Sequence, residues 1–316
     1  MLAGVSNCRL KAVFSSATEA TLLDVYLIDG TYELFRHFFG VPSHVNREGR
    51  EVAATRGVLT SVMGMLDSGV THVGVATDHV IESFRNDMWP GYKTGAGIDP
   101  RLYDQFPLLE EGLEAMGVAV WPMVELEADD ALASAALIAS RSSAVERIYI
   151  CSPDKDLGQC VDGRVLQLDR RNNKITDVAG VQEKFGVLPA SIPDYLALVG
   201  DSADGFPGLP GWGARSAAAV LARFGSLDAI PEDVAQWGFV LRGADKLNRV
   251  LRESWELALL FRDLARLRTD AQLFESADEI AWTGPTEAFA AFCDRLDAPR
   301  LLERAEALAQ TRGDSR

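Results

Sequence analysis

Two clusters of carboxylates, Leu126-Glu127-Ala128-Asp129-Asp130-Ala131-Leu132-Ala133 and Ser152-Pro153-Asp154-Lys155-Asp156, constrain this chain more than any other feature. Between them lie an Ala/Leu-rich stretch of helical character and Arg147-Ile148-Tyr149-Ile150-Cys151, a β-branched and aromatic run that reads as a buried strand. At the start of a helix, Glu127 and Asp130 stand three apart and share a face, with Asp129 beside them near the first turn, where the macrodipole tolerates negative charge. Asp154 and Asp156 follow the C-terminal end of the strand, which is where open α/β sheets bind ligands. Like charges crowded into one cleft repel unless a cation holds them together, and an all-oxygen donor set selects a hard divalent ion such as Mg²⁺ or Mn²⁺.

The same pattern recurs along the chain. Asp24-Val25-Tyr26-Leu27-Ile28-Asp29-Gly30 is an apolar strand ending at Asp29, and Thr71 to Asp78 is a second strand ending at Asp78. Singly, either aspartate reads as a turn residue or an N-cap. Helical spacing over Ala53 to Ser68, further strands at Val118–Val124 and Val165–Leu168, and helical segments at Val178–Phe185 and Ile192–Val199 complete an α/β alternation. Asp201 and Asp204 follow the last of these helices, a poor electrostatic position for an acid unless a cation compensates.

Gly200 to Ser216 then forms a Gly/Pro-rich hairpin between two helical segments. Gly208, Gly211 and Gly213 would let backbone N–H groups approach a sugar-phosphate chain, and Arg215 sits at the start of the next helix. Such hairpins also serve merely to join helices. Ser83 to Gly97 reads as a loop over the cleft, with Arg85 and Lys93 giving cationic reach and Tyr92 a stacking face, or else as a plain surface loop. Arg242 to Arg252 reads as a basic amphipathic helix, and Glu287 to Ala309 has helical periodicity and is expected to pack back on the core.

Composition limits the alternatives. With 316 residues, 47% of them hydrophobic, the chain is long enough for a large core or two domains. The net charge of −15 argues against a nucleic-acid partner, but that objection weakens if many acids are metal ligands. Cys8, Cys151, Cys160 and Cys293 show neither CxxC spacing nor a disulfide framework, so a reduced cytoplasmic setting is expected. No apolar run reaches membrane-spanning length, and residues 1–23 read as a weakly ordered extension without a signal-peptide core.

The ordered series LIDG, ATD, SFR, GYK, EADD, SPDKDL and GDSADGFPGLPGWG, covering roughly residues 24 to 270, resembles the flap endonuclease or 5′-nuclease family. The resemblance implies an α/β fold: a PIN-like core with a central, mostly parallel sheet over about 24–180, a helical arch at about 84–104, and a helix-two-turn-helix subdomain over 181–270. Residues 271–316 would pack back on the core. It implies two, sometimes three, divalent metals, Mg²⁺ or Mn²⁺, with Asp29, Asp78, Glu127 and Asp129 on the first and Asp154, Asp156 and Asp201 on the second. Asp130 and Asp204 would bridge through water or serve a third ion.

Lys93 and Arg85 match the family's catalytic cations and Tyr92 its stacking aromatic, with Arg36 as a further substrate contact and K⁺ at the hairpin carbonyls. Ala96 departs from the family pattern, where a second basic residue is common. The implied activity is 5′-3′ exonuclease and flap-endonuclease cleavage of DNA at 5′ flaps, ends or gaps in replication and repair, by a monomer with no polymerase segment. A catalytically weak branched-DNA-binding homologue and a small-substrate metal phosphatase are the competing expectations.

Overall fold

The computed structural model describes residues 22–314. The extension expected over residues 1–23 therefore lies almost wholly outside the described residues, and Leu23 already opens the first strand. Short apolar runs pair into one six-stranded sheet: β1 Leu23–Asp29, β2 His72–Asp78, β3 Ala119–Met123, β4 Val145–Cys151, β5 Val165–Asp169 and β6 Lys174–Thr176. Their order is β3-β2-β1-β4-β5-β6, parallel except where β6 turns back antiparallel on β5. The chain thus enters at the middle, winds outward to β3, and crosses back to β4 on the other side of β1. Ligand crevices in open sheets form outside the carboxyl ends of the strands at such a reversal.

Pairing register lines the acids up along that edge. Asp29 lies opposite Ala76, Asp78 opposite Met123, and Ile28 opposite Cys151, which brings Ser152 and its following aspartates next to Asp29. Side chains of β1 alternate between the two faces, as a pleated strand requires. Ile28 joins Leu34, Val58, Leu59, Phe106 and Leu109 in a core under the helices Gly30–Gly40, Ala53–Asp67 and Gln105–Ala115. Val25 and Leu27 join Ala131, Leu132 and Ala135 under the helix Ala128–Ser140. A third apolar cluster, built on Leu196, Leu221, Trp237 and Phe261, holds the helical region from Val178 to Ala265 together.

One regular-structure expectation is sharpened and one is corrected. The segment from Glu287 to Ala309 is two helices, Ala288–Arg295 and Pro299–Gly313, broken where Asp297 takes φ +52° just before Pro299. Phe289, Phe292 and Leu301 seat them on the first core. The segment read as a loop over 83–97 begins with a helix, Phe84–Met88, whose start is fixed by the Ser83 N–H donating to the Asn86 side chain at 2.8 Å. Within the stretch expected to form an arch, that helix and Pro100–Tyr103 are the helical pieces.

Candidate metal centre

Asp29 ends β1 and caps the helix that follows. Its Oδ1 accepts the Tyr32 N–H and its Oδ2 the Ser152 hydroxyl, each at 2.8 Å. Burial, with Asp78 and Asp154 nearby, pushes its carboxyl up to about 7 in spite of those two bonds. Asp78 ends β2 and accepts the Ala128 N–H at 2.7 Å, at the positive end of the helix Ala128–Ser140. Burial raises its pKa too, although Lys93 opposes the shift. Asp129, one residue further into that helix, is held well above the usual carboxylate range by burial and by the charges of Asp154, Asp29 and Asp78.

A second group of acids faces the first. The Asp156 N–H donates to Asp154 Oδ1 at 2.9 Å, which fixes the turn after β4. Asp201 and Asp204 ride on a tight turn closed by hydrogen bonds from the Asp201 N–H to the Phe206 carbonyl (2.8 Å) and back from the Phe206 N–H (3.0 Å). The turn starts where the helix Ile192–Val199 stops at Gly200. Asp156, Asp201 and Asp204 each offer one oxygen within 4.8 Å of the others. Burial and its three acidic neighbours Asp154, Asp204 and Asp201 hold Asp156 well above its ordinary range, and its Oδ1 is buried with no hydrogen-bond donor.

Two lysines answer part of this charge. Lys93 Nζ lies 2.6 Å from Glu127 Oε2 and 3.3 Å from Asp204, and Lys155 Nζ lies 2.5 Å from Asp201. Burial would lift Glu127, but Lys93 and Arg85 win and hold it down at about 2. Asp29, Asp129 and Asp156 remain short of positive charge. An orphaned buried oxygen, carboxylates pushed upward by one another, and a donor set made only of oxygen all fit hard divalent cations. The residues that would hold them are Asp29, Asp78, Glu127 and Asp129 on one side and Asp154, Asp156, Asp201 and Asp204 on the other.

Residues 24–186 match the family described as 5′-3′ exonuclease, N-terminal resolvase-like domain, and residues 187–288 match 5′-3′ exonuclease, C-terminal SAM fold. The chain belongs to the 5′-3′ exonuclease family. It is 33% identical to DNA polymerase I of Bacillus caldotenax over 288 residues, 89% of this chain and 32% of that protein, so it spans about a third of the length of that relative. It is 32% identical over 242 residues to the 5′-3′ exonuclease of Aquifex aeolicus, covering 76% of this chain and 82% of that one. Its fold is similar to that of the bacteriophage T5 D15 flap endonuclease, solved in a pseudo-enzyme-product complex with DNA and metal ions. The TM-score is 0.62 at 18% identity, covering 91% of this chain and 99% of that one.

In this exonuclease-family chain, three motif residues are placed differently from their expected roles. Asp130 is fully buried, and its two oxygens accept four donors: Arg85 Nη1 (2.8 Å) and Nη2 (2.7 Å), the Arg268 N–H (2.8 Å) and the Glu127 N–H (3.0 Å). That uses the capacity of a carboxylate and leaves no lone pair for a metal or a water. Arg85, expected to reach out as a cation, is 1% exposed. Tyr92, expected to offer a stacking face, is 4% exposed within the helical subdomain's core, its hydroxyl donating to Glu127 at 3.3 Å. The cause is docking: the Lys93 N–H donates to the Asp204 carbonyl and Trp89 Nε1 to the Gly205 carbonyl, both at 3.0 Å, and a Cβ on Gly205 would meet the Gly91 carbonyl at 2.0 Å.

Of the remaining expected contacts, Gly211, Gly213 and Arg215 lie at the surface, Arg36 is half-buried and Gly208 is buried. Arg215 is exposed in the first turn of the helix Ala214–Phe224, and a Cβ on Gly213 would meet nothing within 4 Å, so that stretch of backbone is open. Gly208 adopts φ +68° and packs against the Gly200 N–H so closely that a Cβ would sit 2.3 Å away, while Gly211 adopts φ +83°. Arg36 is half-buried and pairs with the buried Glu33. Ser152, Lys155 and Gln159 line or brace the pocket and were missed from sequence. For Lys155 the signal was present, a cation set between two acids; for Gln159 none was.

Proposed function

We propose that this protein is a divalent-metal-dependent nuclease that hydrolyses DNA phosphodiesters at 5′ ends and 5′ flaps. The observation that carries this is the convergence of eight carboxylates from five separate segments on one cleft, together with a buried oxygen of Asp156 that has no donor. When bound, Mg²⁺ or Mn²⁺ ions supply Lewis acidity at the phosphate and activate water. The chain's own residues do the rest. Asp29, Asp78, Glu127 and Asp129 gather one ion, and Asp154, Asp156, Asp201 and Asp204 the other. Lys93, the cation between the two groups, neutralises charge on the phosphate in the transition state. The hairpin glycines Gly208, Gly211 and Gly213, with Arg215, hold the duplex backbone, and K⁺ at the hairpin carbonyls belongs to the same proposal. Arg36, on the helix that Asp29 caps, is the further substrate contact of this proposal.

No helix among the described residues is long and apolar enough to cross a membrane. The division into a core at 24–180, a DNA-gripping subdomain at 181–270 and a C-terminal brace at 271–316 is part of this proposal. The test is cleavage of a labelled 5′-flap duplex in Mn²⁺ or Mg²⁺ by the parent and by Asp154→Asn. Metal-dependent cutting by the parent and its loss in the variant are expected. Equal cutting by both overturns the metal assignment, and binding of branched DNA without cutting returns the weak-homologue alternative.

A further inference from the structure

Arg85 has five N–H donors, and each has an acceptor. Nε donates to the Leu264 carbonyl (2.8 Å), Nη1 to Glu127 Oε1 (3.0 Å) and Asp130 Oδ2 (2.8 Å), and Nη2 to Asp130 Oδ1 (2.7 Å) and the Arg266 carbonyl (3.0 Å). Asp130 is equally filled by its four donors. Neither residue has a polar atom left for substrate, water or metal. Both carbonyl partners lie at the end of the helix Trp255–Ala265, where helix carbonyls lack internal partners. The carbonyl between them, Ala265, accepts from Gln159 Nε2 at 3.0 Å, and Gln159 also bonds the Asp156 carbonyl (2.8 Å) and the Leu267 N–H (3.0 Å).

The three side chains therefore tie one helix end to both groups of acids. Arg85 and Asp130 orient Glu127 and the start of the helix Ala128–Ser140, and Gln159 grips the turn carrying Asp156. The helix Trp255–Ala265 shares the apolar core of Phe206, Leu196 and Leu198, the scaffold of the turn that bears Asp201 and Asp204. The geometry points to Arg85, Asp130 and Gln159 as a positioning knot, neither catalytic cation nor metal ligand, that sets the spacing between the two acid groups by fastening the last helix of the C-terminal subdomain to the metal pocket. This rests on the nuclease reading above for its consequence, cleavage, and on geometry alone for the metal pocket.

The test counts Mn²⁺ bound to the full chain without DNA, by electron paramagnetic resonance of the free ion, for the parent, Arg85→Lys, Asp130→Asn, the double variant and Gln159→Leu. Lysine keeps the charge of Arg85 but at most three donors. Arg85→Lys and Asp130→Asn are each expected to bind the parent's number of ions about tenfold more weakly, as loss of a supporting partner does. The double variant is expected to bind no more weakly than the worse single one. Gln159→Leu, which removes no charge, is expected to shift affinity in the same direction and keeps the test readable if either charged variant fails to fold. In single-turnover cutting of a 5′-flap duplex, the weakened Arg85→Lys is expected to recover at saturating Mn²⁺.

Loss of one bound ion in Asp130→Asn makes Asp130 a ligand and overturns the inference. So does unchanged Mn²⁺ affinity in Arg85→Lys with a rate that stays low at saturating metal, or unchanged affinity in Gln159→Leu. If the parent binds Mn²⁺ but cuts no DNA, the nuclease reading fails while the binding results still decide the knot.

Discussion

Asp129 and Asp130 are neighbours in sequence and opposites in circumstance. Asp130 has every lone pair filled and a guanidinium against it, whereas Asp129, Asp29 and Asp156 are each crowded by neighbouring carboxylates. The surroundings of Asp130 are electrostatically finished by the protein itself, and those of Asp29, Asp129 and Asp156 are left short of positive charge. Buried charge is tolerated where a partner is supplied and costs stability where none is. The neutralised and the crowded acids are thus expected to respond to substitution with opposite signs, and the comparison breaks if they do not.

The largest separation is expected for Asp156→Asn. Removing that charge should lower metal-dependent cleavage by on the order of 10³-fold, because a ligand is lost. It should also raise the melting temperature of the metal-free protein, because like charges are relieved, the usual trade between function and stability. Circular dichroism melts beside single-turnover assays decide it, and a variant that is both inactive and less stable would place Asp156 with Asp130 among the acids the protein neutralises itself.

Arg85→Met should do the reverse. It strands Asp130 in a buried site and should cost roughly 3–5 kcal/mol of unfolding free energy, with or without metal. Chemical denaturation with and without Mn²⁺ measures it. A cost well under 1 kcal/mol would mean that the five bonds of Arg85 do not persist in solution.

Acidity gives a third, smaller contrast. Asp29 keeps its proton to about 7 when folded but releases it near the ordinary carboxylate value when unfolded. Over that window the folded state binds more protons, so metal-free stability falls as pH rises. Glu127, held down at about 2, has the opposite sign: it adds stability above its unfolded value, lost as pH drops toward 2. Melting curves of the chelated protein should therefore decline from mildly acidic to neutral pH, and saturating Mn²⁺ should flatten the decline. A stability that climbs through that range without metal would contradict the crowding of Asp29 and its neighbours.

Much of this contrast was legible in the sequence, and the part that was not has a physical cause. Strand ends could be read because an apolar β-branched run that stops at an aspartate has the pattern of a buried strand meeting solvent, so β1, β2 and the turn after β4 were found within a residue or two. Which acid feeds a metal could not be read. Glu127-Ala128-Asp129-Asp130 carries three acids in four positions, and their fates are divided by Arg85, 45 residues before Asp130, and by the Arg268 N–H, 138 residues after it. Tyr92 and Arg85 looked like exposed reach in a Gly/Pro-rich segment. What buries them is the docking of residues 89–93 on the Asp201–Phe206 turn and of the Leu264–Arg266 carbonyls on the guanidinium. Motif matching reports residue types, whereas role depends on donors that arrive from far along the chain.

The smallest expected effect lies outside the cleft and tests whether the hairpin does separate work. Arg215 is exposed at the start of the helix Ala214–Phe224, and the open backbone at Gly213 lies just before it. A contact there would meet a phosphate and carry no sequence information. Arg215→Ala should weaken duplex binding uniformly across sequences and lower the slope of log affinity against log salt by about 1, since roughly one counterion fewer is released. Mn²⁺ affinity and cutting at saturating DNA should stay at the parent's level, because the pocket acids take no support from this side chain. Fluorescence anisotropy over a salt series, on two duplexes of unrelated sequence, separates the outcomes. An unchanged salt slope would remove Arg215 from the DNA-facing surface, and an altered Mn²⁺ affinity would show that hairpin and pocket are one coupled unit.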